Sequence, residues 1–221
     1  MQTIGGEDMI VKTIVSAVTP VYTGDAFNIN AIKSQTIMGS LRFWFEVFLK
    51  AIGQLPKNYN FNTENLNTSK YNDKVLMNVS KANSLYEAKV KSYEEIALPS
   101  RIFGCTGLNS KIAIKNIVHI GASYYLSLRR ISPIKVGGSK RGWHFPPVYF
   151  FGDFTIEFFI EDESIFKDIF CPLLNFIEEY GYLGGKNNLG FGRVKFVLEG
   201  KDYGDIKKYN VFKLARYGCS F

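Results

Sequence analysis

From 34 to 53 the apolar residues Ile37, Leu41, Trp44, Phe45, Phe48 and Ile52 recur at intervals of three and four, the spacing that lines up one face of an α-helix. Ser34 or Thr36 can cap the start of this helix and Gly53 can end it. The same spacing places Phe43 and Trp44 with the core, while Arg42 and Glu46, one turn apart, read as an exposed ion pair. Residues 9–18 are β-branched and loosely alternating, which predicts a strand that Thr19 and Pro20 terminate. "KIAIKNIVHI" and "SYYLSLRRI" read as two further strands, separated by a basic glycine-rich loop from another at 149–160, where Phe154, Ile156, Phe158 and Ile160 alternate against Thr155, Glu157 and Phe159. The acidic residues at 161–163 suit the start of a second helix, since the positive end of its dipole favours them. Pro172 kinks that helix or restarts it with the proline in its first turn, and it then runs to Tyr180. Residues 194–198 form the last strand.

Strand, helix, strands, helix, strand is the order of an α+β, ferredoxin-like domain, an antiparallel sheet with helices on one face. One such domain accounts for 1–221, with an insertion at 54–97 that is rich in asparagine, poor in apolar periodicity and partly helical toward 82–96. After it, "LPSRIFGCTG" has the composition of a loop.

Composition narrows the function classes. A hydrophobic share of 46% is that of a chain with a packed core. No apolar run reaches the roughly eighteen residues that span a membrane, and the first residues lack a signal-peptide pattern, so a soluble, cytoplasmic protein is expected. Cys105, Cys171 and Cys219 are widely spaced, with two histidines in the whole chain. They offer neither a disulfide framework nor a zinc site, and no metal or cofactor is expected. The net charge of +7 permits a polyanionic partner without requiring one. Its placement is more informative. Lys135, Lys140 and Arg141 fall in "KVGGSKRGWHF" beside Trp143 and His144, just after Arg129 and Arg130, and Lys186 and Arg193 flank a second glycine-rich stretch. Cations on glycine-rich loops beside aromatic rings suit a phosphate backbone with stackable bases, with Trp143 equally able to pack on its own domain.

That second stretch, "LGGKNNLGFGR", places glycines at 184, 185, 190 and 192. It is not a Walker loop, because counting back from Gly185 and Lys186 lands on Tyr180, and Asn187 replaces the magnesium-binding hydroxyl. Nor is it a dinucleotide fingerprint, which would need glycine where Lys195 stands. Both cradles run from strand to helix, whereas this loop runs from helix to strand and meets a helix C-terminus. A helix cap with Gly181 or Gly184 left-handed explains one or two of the glycines. Close approach of the backbone to another chain explains the rest.

Four segments in order, "TPVYTG", "IMGSLRFWF", "SRIFG" and "GYLGGKNNLGFGRVKF", resemble the RAMP superfamily of CRISPR-associated proteins, closest to the first RAMP subunit of type III-B effector modules. The resemblance spans 10–53 and 98–198. It implies an RRM-related ferredoxin-like fold in a non-catalytic RNA-binding and assembly subunit of an RNA-guided antiviral complex, whose partners are guide or target RNA and other RAMP subunits. Carried onto this chain, Arg42, Arg101, Lys186 and Arg193 would meet phosphates. The loop residues Gly185, Asn187, Asn188, Gly190 and Gly192 would approach the RNA backbone, and Lys135, Lys140, Arg141, Trp143 and His144 would add charge and stacking. The family more often has arginine where this chain has Met38, Asn187 and Asn188. Two other readings stand beside this one. A metal-independent ribonuclease would use His144, or Asp25 in the loop after the first strand, with His119 reading as a core or edge residue. A pure protein-binding end cap would need none of these.

Overall fold

The computed structural model of the chain describes residues 9–24, 32–55, 57, 59, 70–124, 134–136, 139–141, 149–200 and 205–218, with backbone alone at 70, 119–124, 134–136, 139–141 and 216–218. Strand β1 (Met9–Ala17) leads to helix α1 (Ser34–Ala51), then α2 (Lys70–Val79), α3 (Leu85–Glu94), the short α4 (Leu98–Phe103) and β2 (Ile112–Tyr124). A hairpin of β3 (Ile134–Val136) and β4 (Ser139–Arg141) precedes β5 (Phe151–Ile160). After it come α5 (Glu163–Ile165), a π-helical turn (Phe166–Phe170), α6 (Cys171–Tyr180), a 3-10 turn (Asn187–Leu189), β6 (Val194–Leu198), a second 3-10 turn (Ile206–Lys208) and α7 (Lys213–Gly218).

Four strands form one antiparallel sheet in the order β2-β5-β1-β6. With the hairpin set aside, β1-α1-β2-β5-α6-β6 is the ferredoxin-like arrangement expected from the element order. The alternation in β5 does what period two requires: Phe154, Ile156, Phe158 and Ile160 are all fully buried. They meet Val11 and Val15 of β1, Val194 and Phe196 of β6, and Ile37, Leu41, Phe45 and Leu49 of α1 in one core cluster. Ile10, Val118 and Val197 lie exposed on other strand positions.

Several expectations give way to the structure. "LPSRIFG" is not a loop: Pro99 sits in the first turn of α4, and Ser100, Arg101 and Ile102 are buried. The two strands read at 111–131 begin as a single strand, since β2 continues through Ser123 and Tyr124 after a register shift. The basic stretch contains strand pairing, Ile134 with Arg141 and Lys135 with Lys140, in place of a plain loop. Neither Ser34 nor Thr36 caps α1; Lys33 holds the N-cap position without a side-chain bond, and the Thr36 hydroxyl donates to the Thr23 carbonyl. Gly53, at φ 75°, does end that helix.

The acidic start of the second helix is as expected. The Asp162 carboxylate accepts from the Ile165 amide at 2.8 Å. Burial pushes its pKa up, but the Ser164 hydroxyl, the Ile165 and Ser164 amides and Lys111 outweigh that and hold it below the ordinary aspartate value. Of the two expectations at Pro172 the second holds: a π turn at Phe166–Phe170 gives way to α6, with the proline in its first turn and Tyr180 at its end. In the inserted region, Ser84 caps α3 by accepting from the Glu87 amide, and Glu87 accepts from the Asn83 amide. No helix among the described residues is long and apolar enough to cross a membrane.

Candidate functional site

The two outer segments of the motif series form one structural unit. The amides of Val18 and Thr19 donate to the Arg193 carbonyl, Gly192 donates to the Pro20 carbonyl, and Gly185 donates to the Tyr22 carbonyl at 2.7 Å. "TPVYTG" is thus stitched to the glycine-rich loop along its length. Two glycines are demanded by this seam. A Cβ on Gly184 (φ 85°) would stand 2.3 Å from the Tyr22 carbonyl oxygen, and one on Gly192 (φ 91°) 2.2 Å from that of Leu183. The close approach inferred from the sequence is therefore to the chain's own backbone. Gly181 ends α6 in an extended conformation, so of the two candidates only Gly184 is left-handed, three residues beyond the end of the helix.

Beyond the seam the loop projects. Lys186 is exposed and left-handed at φ 63°, the one non-glycine residue of positive φ among those described. Asn187–Leu189 make a single 3-10 turn that the left-handed Gly190 closes. Donation within the chain engages the amides of Gly184, Gly185, Leu189, Gly190, Gly192 and Arg193. A ligand here meets side chains more than a cradle of amides. The Arg193 guanidinium donates to the Glu179 carbonyl at 3.1 Å and lies 5.6 Å from the Tyr182 ring centroid, which holds it along the C-terminal end of α6.

A groove of about 410 Å³ runs between this loop and α1. Thr36, Gly39, Ser40, Phe43 and Trp44 line it from the helix, and Tyr182, Gly184, Gly185 and Asn187 from the loop side. The helix positions follow the i, i+3, i+4, i+7, i+8 stripe, which meets the apolar face of α1 at Trp44. The wall is rigidly held. Trp44 Nε1 donates to the Tyr182 carbonyl at 2.8 Å, the Trp44 ring packs edge-on against Phe176, and the Gly184 amide donates to Ser40 Oγ at 2.9 Å. Phe43 departs from the core assignment its spacing suggested: it is 43% exposed. Asn187 Oδ1 is buried and has no hydrogen-bond partner.

The other cations read from the sequence lie elsewhere or face inward. Glu46 is fully buried, not part of an exposed pair, because the Arg42 Nε donates to its carboxylate at 2.9 Å and the Tyr59 hydroxyl adds a bond at 3.0 Å. The rest of the Arg42 guanidinium donates to the Gly104 carbonyl and to Ser100 Oγ, both at 2.9 Å, tying α1 to α4. Arg101 is 7% exposed, with its guanidinium 5.5 Å from the Tyr93 ring centroid. Both arginines thus have internal roles at the α1–α4 junction. Lys135, Lys140 and Arg141 stand on the β3–β4 hairpin. Asp25, Trp143 and His144 lie outside the described residues, and His119 lies on β2 with its backbone alone described. Of the thiols, Cys171 is buried, and burial raises its pKa far above the ordinary value. Thr36, Gly39, Ser40 and Phe43 are the site residues that sequence reasoning missed, and their helical spacing was the available signal.

No protein of curated function matches the sequence. Among solved structures, the apo crystal structure of Cmr1 from Pyrococcus furiosus is similar over 88% of this chain and 51% of its own, at 13% identity and a TM-score of 0.47. A chain of a type IV-B CRISPR complex is similar over 88% and 92%, at 12% identity and 0.45. The crystal structure of Cmr6 from Pyrococcus furiosus is similar over 88% and 99%, at 12% identity and 0.42. This chain therefore spans about half the length of the Cmr1 chain. The family model of the RAMP superfamily matches residues 14–195, from within β1 to within β6, and so takes in part of every strand of the main sheet, the groove and the glycine-rich loop. The chain belongs to the RAMP superfamily.

Proposed function

We propose that the chain is an RNA-binding and assembly subunit of a CRISPR effector complex of the type III-B kind, which holds guide or target RNA for antiviral defence and does no cutting itself. The observation that carries the reading is the projecting turn at Lys186. An exposed cation stands on a conformation that non-glycine residues avoid, fixed by backbone bonds to the β1–α1 segment, at the lip of a groove with an aromatic wall. An ammonium so placed meets a phosphate without the chain having to reorder. Arg193, held at the C-terminal end of α6, adds a second charge on the same loop, and the β3–β4 hairpin with Lys135, Lys140 and Arg141 adds more on a separate sheet. Membership of the RAMP superfamily supports the CRISPR setting.

The test is the salt dependence of binding to a fluorescent single-stranded RNA. Lys186→Ala should weaken binding and reduce the slope of log affinity against log salt by about 0.7, the contribution of one phosphate contact on a single strand. An unchanged slope would remove the loop from the interface. Incubating the same RNA with the protein, with and without divalent metal, should leave it intact. Specific cleavage that Asp25→Ala or His144→Ala abolishes would overturn the non-cutting role.

A further inference from the structure

We infer that the α2–α3 pair is a docking surface for another protein subunit of the effector complex, one that presents an apolar surface rimmed by carboxylates. The inference rests on the assembly half of the proposed function and adds to it the surface used and the chemistry of the partner. It gives the inserted region a role that the glycine-rich loop and the groove do not require of it.

The pair is built with its polarity inside out. Asn78 and Ser92 are 5% and 0% exposed, and the Asn78 side-chain nitrogen donates to Ser92 Oγ at 3.0 Å and to Glu95 Oε1 at 3.4 Å. Lys74 Nζ donates to Glu95 Oε2 at 3.2 Å. Position 78 thus meets 92 while 74 meets 95, so the two helices run antiparallel with a polar seam between them. What α3 buries is Ala88 and Ser92. The large apolar side chains stand outside: Leu76 is 72% exposed, Met77 68% and Tyr86 66%, and Val79, Leu85 and Val90 are exposed as well.

An amphipathic helix that serves only its own domain turns the apolar stripe inward. Here Leu76 and Val79 lie three apart on α2, and Tyr86 and Val90 four apart on α3, so each helix carries an apolar stripe on the side away from the seam. Of the fifteen large hydrophobic side chains exposed among the described residues, six fall between 76 and 90. That concentration is the mark of an interaction surface, since singly scattered apolar residues are the ordinary case.

Charge selects the occupant. Between 79 and 91 three lysines, Lys81, Lys89 and Lys91, stand against one carboxylate, Glu87, which is already engaged by the Asn83 amide at 2.8 Å. Lys81 and Lys89 are exposed and form no ion pair among the described residues. The complementary surface therefore has an apolar centre and an acidic rim. A second copy of this chain does not fit face to face, because it would set the same lysines against one another. RNA does not fit either, since leucine, methionine and valine offer no flat ring for bases and Tyr86 is the single aromatic residue between 76 and 90. A tyrosine among aliphatic side chains is instead the make-up of the centre of a protein interface, with Tyr86 as its anchor.

The experiment isolates the complex from native cells through a tag on this chain and treats it with a zero-length carbodiimide, which joins amines to carboxylates in contact. Mass spectrometry of the linked peptides should find Lys81 or Lys89 joined to an aspartate or glutamate of another subunit. Leu76→Ser combined with Tyr86→Ser should lower the affinity for that purified subunit at least about tenfold, the loss expected at the centre of an interface. The melting temperature of the double variant should stay within about 2 °C of the parent, because the replaced side chains are exposed, and its salt slope of RNA binding should be unchanged. Lys89→Glu should also weaken docking, and replacing the linked carboxylate of the partner by lysine should restore it. Co-assembly with other CRISPR subunits, with no link to Lys81 or Lys89 and no effect of the double variant, would overturn the docking surface and leave the assembly reading standing. A preparation that contains no other CRISPR subunit would overturn both. RNA photo-adducts on peptides covering 76–90 would put RNA on this face and overturn the inference. Concentration-dependent self-association that Tyr86→Ser abolishes would put a second copy there and overturn it as well.

Discussion

Arg42→Ala would take the guanidinium away from the buried Glu46 carboxylate. In the intact protein Glu46 is fully buried and Arg42 is 16% exposed, and the guanidinium makes three bonds of 2.9 Å, to Glu46, the Gly104 carbonyl and Ser100 Oγ. Truncation removes a charged partner of a fully buried carboxylate together with three bonds, and the hydroxyl of Tyr59 carries no charge to replace it. Breaking such a pair costs about 3–5 kcal/mol. For a chain of this size that lowers the melting temperature by roughly 6 to 20 °C. Arg42→Lys should recover little, since an ammonium cannot reproduce the planar fork that reaches three acceptors. Arg42→Met combined with Glu46→Met should cost less than Arg42→Ala alone, because it removes the buried carboxylate along with the guanidinium. Thermal and urea denaturation of the four proteins measure this directly. The same arrangement predicts that Arg42→Lys leaves the salt slope of RNA binding unchanged. A melting temperature within about 2 °C of the parent for Arg42→Ala would refute the internal role of this arginine.

The seam under the glycine-rich loop should be intolerant of any side chain. Gly184→Ala and Gly192→Ala each combine a left-handed φ with a backbone oxygen within 2.3 Å of the new Cβ, for a loss of about 2–5 kcal/mol in urea denaturation. Gly190→Ala, also left-handed but with nothing within 4 Å, should cost about 1–2 kcal/mol; equal losses at all three would refute the steric account. Asp162→Ala should cost about 1 kcal/mol as a lost helix cap. Because the folded pKa of Asp162 lies below its unfolded value, that contribution is complete above the unfolded value, about 3.9, and disappears as pH falls through the lower folded one. Wild type and variant should therefore converge in stability in acid, and a difference that persists there would contradict the assignment.

The sheet and its two main helices were legible in the sequence because their signals are local. Period two in β5 and the three-four spacing in α1 each report a buried face without reference to the rest of the chain. What failed depends on distant partners. Nothing local shows that Arg42 reaches Gly104 and Ser100, some sixty positions on, so the pair with Glu46 reads as a solvated i, i+4 couple. "LPSRIF" looked like a loop because six residues are too few for periodicity, although Pro99 early in the segment suits a first helical turn. The glycine loop does run from helix to strand, because register and element order are local features of the sequence. Its glycines were assigned to an outside chain because the sequence cannot show that 18–22 folds back onto 184–193. In α1 the apolar face drew attention away from Thr36, Gly39, Ser40 and Phe43, whose spacing puts them on one stripe that lines the groove.

The claim that the loop and the α1 groove form the RNA face is tested most directly by photocrosslinking. RNA carrying 4-thiouridine, bound to the protein and irradiated, should leave adducts on peptides covering residues 36–44 and 182–193, and Gly39→Leu should remove those on the α1 peptide. Adducts confined to other parts of the chain, with none on either peptide, would contradict it.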